Sequence, residues 1–223
     1  MSSTVSSHVR TLAENAVSRQ PRQGRSLASF QRMLEATKSL MLERGSENFT
    51  LQDVSDRGGV SIGSIYLRFE SKDRLLHAVI AQELEAILEG ERQMVEGIVA
   101  EATSLADFLP RYVEAYSGFL AAHAQLLATI MQRAEVDPAV SAPGRETAQR
   151  SAEISAAAIL RFRDEISGDD PERRAHAVFR IVFATAARQF GLGSTSESAD
   201  DRIWAVLKTE LSTMALAYLR YPG

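Results

Sequence analysis

Residues 50–69, TLQDVSDRGGVSIGSIYLRF, set hydroxyls, a phenol and an arginine at spacings suited to phosphate oxygens and base edges. Thr50 has N-cap chemistry and Asp53, three residues on, completes a shortened capping box. A helix is therefore expected from Leu51, with Leu51 and Val54 on its inner face. Gly58 and Gly59 end it, because a residue without a Cβ enters φ > 0 at little cost. Val60 anchors the turn, and Ser61 caps a second helix. There Ile65 and Phe69 recur at i and i+4 and face inward, leaving Ile62, Gly63, Ser64, Tyr66, Leu67 and Arg68 on or beside the open face. Such a pair lays its second helix in the DNA major groove. Thr50, Tyr66 and Lys72 carry donors for phosphate oxygens. Ser64 suits a base edge, Ile62 and Leu67 suit a thymine methyl, and Gly63 permits close approach.

Helical elements must hold this pair in place. A helix over about 26–44 presents Phe30, Leu34, Thr37 and Met41 on one face and packs behind it. Residues 1–24 are polar and Ser-rich and read as a flexible basic arm, in which Arg19, Arg22 and the neighbouring Arg25 are candidates for the DNA backbone. Ser71-Lys72-Asp73 opens a long helix to about 102. Further helices are expected over 104–122, through Leu126–Met131 to a stop at Asp137-Pro138, and over 148–166. Pro143 and Gly144 mark 138–147 as a loop. Asp170-Pro171 opens a helix to about 190, proline being favoured at the first helical position. After a loop over 191–198, the last helix runs over about 200–220. No alternating strand pattern and no internal repeat is present. The fold class is all-α with about nine helices, in three parts: arm 1–24, helix–turn–helix domain 25–71, and helical body 72–223.

The chain has 223 residues, no cysteine and a formal net charge of −4. Absence of cysteine removes disulfides, thiolate metal sites and cysteine nucleophiles together. Four histidines, His8, His77, His123 and His176, lie too far apart for a metal-ligand spacing, so no metal and no cofactor is expected. The charge is uneven, +3 over residues 1–75 and −7 over the remainder, a basic head on an acidic body. That asymmetry favours one docking orientation on a polyanion. No segment has the apolar length of a membrane span, and the first residues lack a signal-peptide pattern, so a cytoplasmic location is expected. No nucleophile elbow or phosphate loop is present, Gly191-Leu192-Gly193 being too short and not preceded by a strand; no enzyme is expected.

From about Phe30 to Leu76 the chain resembles the DNA-binding domain of the TetR (AcrR) family of bacterial transcriptional regulators. The shared features are Gly45, Thr50, the run Gly59, Val60, Ser61, Gly63, Tyr66, Phe69, and Lys72. Ser55 and Gly58 stand where that family favours alanines, and Arg68 where histidine is frequent. Gly58 is expected to cost about 1 kcal/mol of helix stability, and Arg68 to add positive charge beside the DNA. The resemblance implies a TetR-like fold with a C-terminal ligand-binding and dimerisation domain. It places Arg25, Thr50, Ser61, Ile62, Gly63, Ser64, Tyr66, Leu67, Arg68 and Lys72 at DNA. Phe108, Tyr112, Tyr116, Phe119, Met131, Phe162 and Phe183 are the expected lining of an apolar effector cavity. Phe179, Val182, Trp204, Leu207, Leu211 and Met214, on the two last helices, are the expected homodimer contacts. The function implied is a homodimeric repressor on a palindromic double-stranded operator, released by a small hydrophobic effector. A similar DNA binder without an effector, and an activator on the same fold, are the alternatives.

Overall fold

The computed structural model describes residues 7–19, 24–192 and 201–222. Among them are nine α-helices and one short 3-10 helix: α1 Ser7–Ala16, α2 Arg25–Arg44, α3 Leu51–Gly58, α4 Ile62–Tyr66, α5 Lys72–Glu101, α6 Leu105–Val136, α7 Pro138–Ile159, the 3-10 turn Leu160–Glu165, α8 Pro171–Gln189 and α9 Asp201–Arg220. No strand occurs among the described residues. The chain forms two compact units, Met1–Ala86 with Gln125–Thr147, and Ile87–Ala124 with Ala148–Gly223. Helices α5, α6 and α7 each supply residues to both.

In the first unit Met33, Leu34, Leu40 and Met41 of α2 pack with Val54, Ile65, Phe69 and the Leu75, Leu76, Val79, Ile80 and Leu84 stripe of α5. Leu126 and Ile130 of α6 and Val140 of α7 close this core. Arg133 ties its elements together, its guanidinium reaching Glu47 at 2.9 Å, Asp73 at 2.9 Å and Asp137 at 2.8 Å. His77 meets the same Asp137 carboxylate at 2.7 Å. The loop after α2, the start of α5 and the end of α6 are thereby joined by one cation and its three acids, a partly buried network with bidentate options that a single surface pair lacks.

Three expectations are corrected. Residues 7–16, expected within a flexible arm, form α1, whose Val9, Leu12 and Ala16 are buried in the core of the first unit. The stripe at three- and four-residue steps supplies the apolar face, and the Glu146 carboxylate accepts the otherwise orphaned N–H groups of Ser7 at 3.2 Å and His8 at 3.0 Å. Arg22 and residues 193–198 of the expected loop lie outside the described residues. Residues 104–122 and 126–131 are parts of one helix, α6, because nothing between Ala121 and Leu126 breaks it. The expected loop 138–147 is helical. Asp137-Pro138 does not only stop α6; it starts α7, the Asp137 carboxylate accepting the Ala139 N–H at 3.0 Å with proline in the first turn. Residues 160–165 then leave the α-helical path as the 3-10 turn, with Phe162 at φ −105°, ψ 33°.

In the second unit Arg174 of α8 is buried and donates to the Tyr218 carbonyl at 2.8 Å and the Tyr221 carbonyl at 2.7 Å, fixing the end of α9. Trp204 meets Phe190 edge-on at 5.8 Å. Among the described residues no helix is long and apolar enough to cross a membrane.

Truncating Leu12 to alanine is expected to cost about 2–4 kcal/mol in urea unfolding, the range for a filled core position. A loss under about 0.5 kcal/mol, typical of a surface site, would return residues 7–16 to the status of an arm.

Candidate functional site

The turn between α3 and α4 sets the geometry of the reading face. Thr50 Oγ1 accepts the Asp53 N–H at 3.1 Å while Asp53 accepts the Thr50 N–H at 2.7 Å, so the expected capping box is present in both directions. That backbone donor, then the Thr50 hydroxyl, holds the Asp53 carboxyl below its ordinary value. Gly59 adopts φ 56°, the left-handed conformation glycine accepts without Cβ strain, and closes α3. Gly58 has a different task. A Cβ there would lie 3.1 Å from the Arg32 carbonyl and 3.3 Å from Ala36 Cβ, so the alanine common in the family would be crowded against α2. The glycine therefore permits close approach of α2 and α3 besides weakening the helix. Ser55, buried, donates its hydroxyl to the Val60 carbonyl at 2.6 Å. An alanine at that position would leave the turn without this bond, a role the sequence showed only as a small residue.

Ser61 caps α4, accepting the Ser64 N–H at 3.2 Å, and its hydroxyl lies 2.7 Å from that of Ser64. The α-helix ends at Tyr66, shorter than the 62–69 face expected, and Ile65 and Phe69 are buried as anticipated. Tyr66 and Leu67 are 59% and 53% exposed. Ser61 and Gly63 are exposed, Ser64 is half-buried, and Ile62 packs partly on the core. Thr50 and Arg25 are also exposed. Lys72 is half-buried, its Nζ bonded to the Glu47 carbonyl and 4.5 Å from the centre of the Phe49 ring. Arg68 is not on this face. It is only 7% exposed, its guanidinium donates to the carbonyl and hydroxyl of Ser26 at 3.2 Å each, and its carbonyl accepts the Ser18 N–H at 2.8 Å. The extra charge expected beside DNA is spent on joining the end of the reading helix to α2.

Residues 33–79 match the family described as bacterial regulatory proteins, tetR family. Over these residues the chain is similar to the regulators of that family. Solved structures share its fold: one described as a TetR-family transcriptional regulator from Mesorhizobium loti has a TM-score of 0.67 at 18% identity, covering 88% of this chain and 96% of that one. Salmonella enterica GusR gives 0.60 at 23%, covering 89% and 98%. A TetR transcription regulator from Haloarcula marismortui gives 0.61 at 17%, covering 86% and 96%. No curated protein matches in sequence. The matched segment contains the helix–turn–helix of α3 and α4.

In the second unit five of the expected lining residues form an aromatic stack. Ring centres step from Phe162 to Phe108 (5.3 Å), Tyr112 (5.4 Å), Tyr116 (5.4 Å), Phe179 (5.9 Å) and Phe183 (5.9 Å). Phe179, expected at a dimer contact, belongs to this stack. Phe119 stands apart, against His123 at 4.4 Å and close to Gly90. Met131 does not join them; it falls in the first unit and is 41% exposed. Of the other expected dimer residues, Val182, Trp204 and Leu211 are buried within the chain, Leu207 is half-buried and Met214 is exposed. The exposed large apolar side chains of α8 and α9 are Ile181, Ile203, Val206, Met214 and Tyr218.

The acid Glu91 was missed. It occupies the buried stripe of α5 between Ile87 and Val95, where an apolar residue fits the four-residue step. It is 2% exposed and accepts hydrogen bonds from Ser151 at 2.8 Å and Ser155 at 3.3 Å. Tyr112 donates to Ser155 at 2.8 Å, and the Tyr116 hydroxyl lies 3.5 Å from that of Ser151. Burial pushes the Glu91 carboxyl up to about 7 against the two serine bonds. It likewise drives the Tyr112 and Tyr116 hydroxyls well above their ordinary range.

Because the folded value for Glu91 exceeds the unfolded one, 4.5, its stabilisation is complete below about pH 4.5 and is lost as pH rises through 7. The difference amounts to about 3 kcal/mol by pH 8. Denaturant unfolding of Glu91→Gln should therefore fall less steeply between pH 5 and 8 than that of the wild type. Parallel curves would show that Glu91 titrates normally.

Proposed function

We propose that the regulator is a homodimeric repressor that lies on an inverted-repeat operator and leaves it when a small effector with an apolar body occupies the second unit. The observation that carries the DNA half is the capped α3–turn–α4 unit with Tyr66, Leu67, Ser61 and Gly63 facing outward. Thr50, Tyr66 and Lys72 supply phosphate donors that set register, and Ser64 with Leu67 reads base edges in the major groove. To do so Ser64 exchanges its Ser61 partner for a base. Arg68 acts by positioning, since its guanidinium is already engaged. The reading assigns the chain no catalytic step and a cytoplasmic location, where its DNA is.

Dimerisation follows from surface chemistry. Ile181, Ile203, Val206 and Met214 form an uncovered apolar face on α8 and α9, and a second copy presenting the same face covers it as a four-helix contact. Two heads related by a two-fold axis require two half-sites so related. The effector reading rests on the aromatic stack with its directed hydroxyls, the composition of a small-molecule site. An effector acts only by preferring the state whose heads do not fit the operator. Helix α5 begins at Lys72 in the head and carries Glu91 beside that stack, so it is the covalent link between the two events.

Operator titrations over a range of salt test the assignments. Lys72→Ala should weaken every sequence about equally and reduce the salt slope by about 1, whereas Ser64→Ala should change preference at one base position by about 1 kcal/mol. Uniform loss for Ser64→Ala would remove it from base reading. Val206→Glu places a charge in the apolar face and should give monomers in sedimentation with operator affinity lost; a dimer that survives it would move the interface elsewhere.

A further inference from the structure

Glu91 is a buried acid facing two serine hydroxyls, two phenols and aromatic rings, and no cation acts on it. Both serine bonds fall on the same oxygen, Oε1, and leave Oε2 outside them. The titratable groups facing it from α6 are Tyr112 and Tyr116, both held neutral at ordinary pH. Its helix neighbour Arg92 is exposed and paired with Glu89 at 2.6 Å and Glu96 at 2.6 Å. A carboxyl in these surroundings stays protonated because ionising it without a counter-charge is costly. Arrival of a cation reverses that balance, since buried opposite charges attract strongly and the new pair is hydrogen-bonded on both oxygens. The Tyr112 and Tyr116 rings, whose hydroxyls reach the same two serines, offer cation–π attraction to the same ligand. The small hydrophobic effector expected from the sequence thus meets an acid that selects a charge.

We propose that the effector is an organic cation, a protonated amine on an apolar body, whose nitrogen pairs with Glu91 while the body lies along the Phe108–Tyr112–Tyr116 stack. This rests on the reading of the second unit as an effector site. Pairing expels the Glu91 proton, so one proton leaves the protein as one positive charge enters and the buried site remains neutral. Serines 151 and 155 keep the carboxylate oriented toward α6 and α7. Ser151, Ser155 and Glu91 are binding residues in this account, and neither serine is exposed.

The test uses full-length regulator with its operator and matched ligands, 4-phenylbutylamine and 4-phenylbutanol with their homologues of three to ten methylenes, which differ only in the charged end. Binding is read by calorimetry and operator release by fluorescence anisotropy at pH 6 and pH 8. The expected result is that an amine of the series binds and releases operator while its alcohol does not. Its affinity should be about tenfold higher at pH 8 than at pH 6, because binding must displace the Glu91 proton. Glu91→Gln should abolish amine binding; Glu91→Asp, if the glutamine variant fails to fold, should retain the pH dependence. Equal action of amine and alcohol on wild type and Glu91→Gln would overturn the cationic class and leave the effector reading standing. Failure of every amine and alcohol to bind, with operator binding intact, would overturn both.

Discussion

The reading helix has five residues, too few to hold a helical conformation by its own hydrogen bonds, so its direction is dictated by what surrounds it. The decisive constraint is the turn before it. Gly58 lets α3 approach α2 to a distance at which an added Cβ would sit 3.1 Å from the Arg32 carbonyl, and Arg32 Nε returns to the Gly58 carbonyl at 3.2 Å. Ser55 holds the Val60 carbonyl, Gly59 reverses the chain, and Ser61 starts α4. Each is a local bond, yet together they convert a short helix into a fixed projection for Tyr66 and Leu67. Buried Arg68 closes the far end on Ser26, so the helix is held at both ends.

The second unit follows a different logic. Its helices are held by aromatic stacking and by polar links that reach across elements, such as Arg174 to the last carbonyls of α9 and Glu165 to the Leu105 N–H at 2.8 Å. Against that apolar background a single acid, Glu91, is the group whose charge state burial has made variable. In the proposed switch a change of charge on α5 alters the free energy of one helix that supplies residues to both units. Electrostatics in a low-dielectric interior supplies the leverage that the same acid would lack at the surface.

The head was largely legible from sequence because its determinants are local. Thr50 with Asp53, Gly59 and Ser61 are caps and turn residues whose meaning is fixed within four positions, and each does what its type implies. The misses have two physical origins. Pattern reading took Asp137-Pro138 as a stop, although the same Asp-Pro pair at 170–171 was correctly read as a start; an N-cap acid before proline marks the beginning of a helix wherever it falls. Tertiary partners account for the rest. Arg68 is turned inward by Ser26, residues 7–16 are drawn into the core by a stripe too short to stand alone, and Trp204 and Leu211 are covered by their own chain while Ile203 and Val206 are not. Glu91 was visible as an acid at an apolar helical position, but its surroundings, Ser151, Ser155 and the two tyrosines, come from other helices, as far as 64 positions away, and no spacing announces them.

The central claim is that two heads of this kind, fixed by the turn at Gly58–Ser61 and brought together through α8 and α9, read DNA as a symmetric pair. Selection of binding sites from a random duplex library, with the mass of the resulting complex measured in solution, addresses it most directly. The account predicts enrichment of one inverted repeat and an even number of chains per site, two on a single operator. Enrichment of a lone half-site by a single chain, or recovery of no preferred sequence from a protein that binds all duplexes alike, would contradict it.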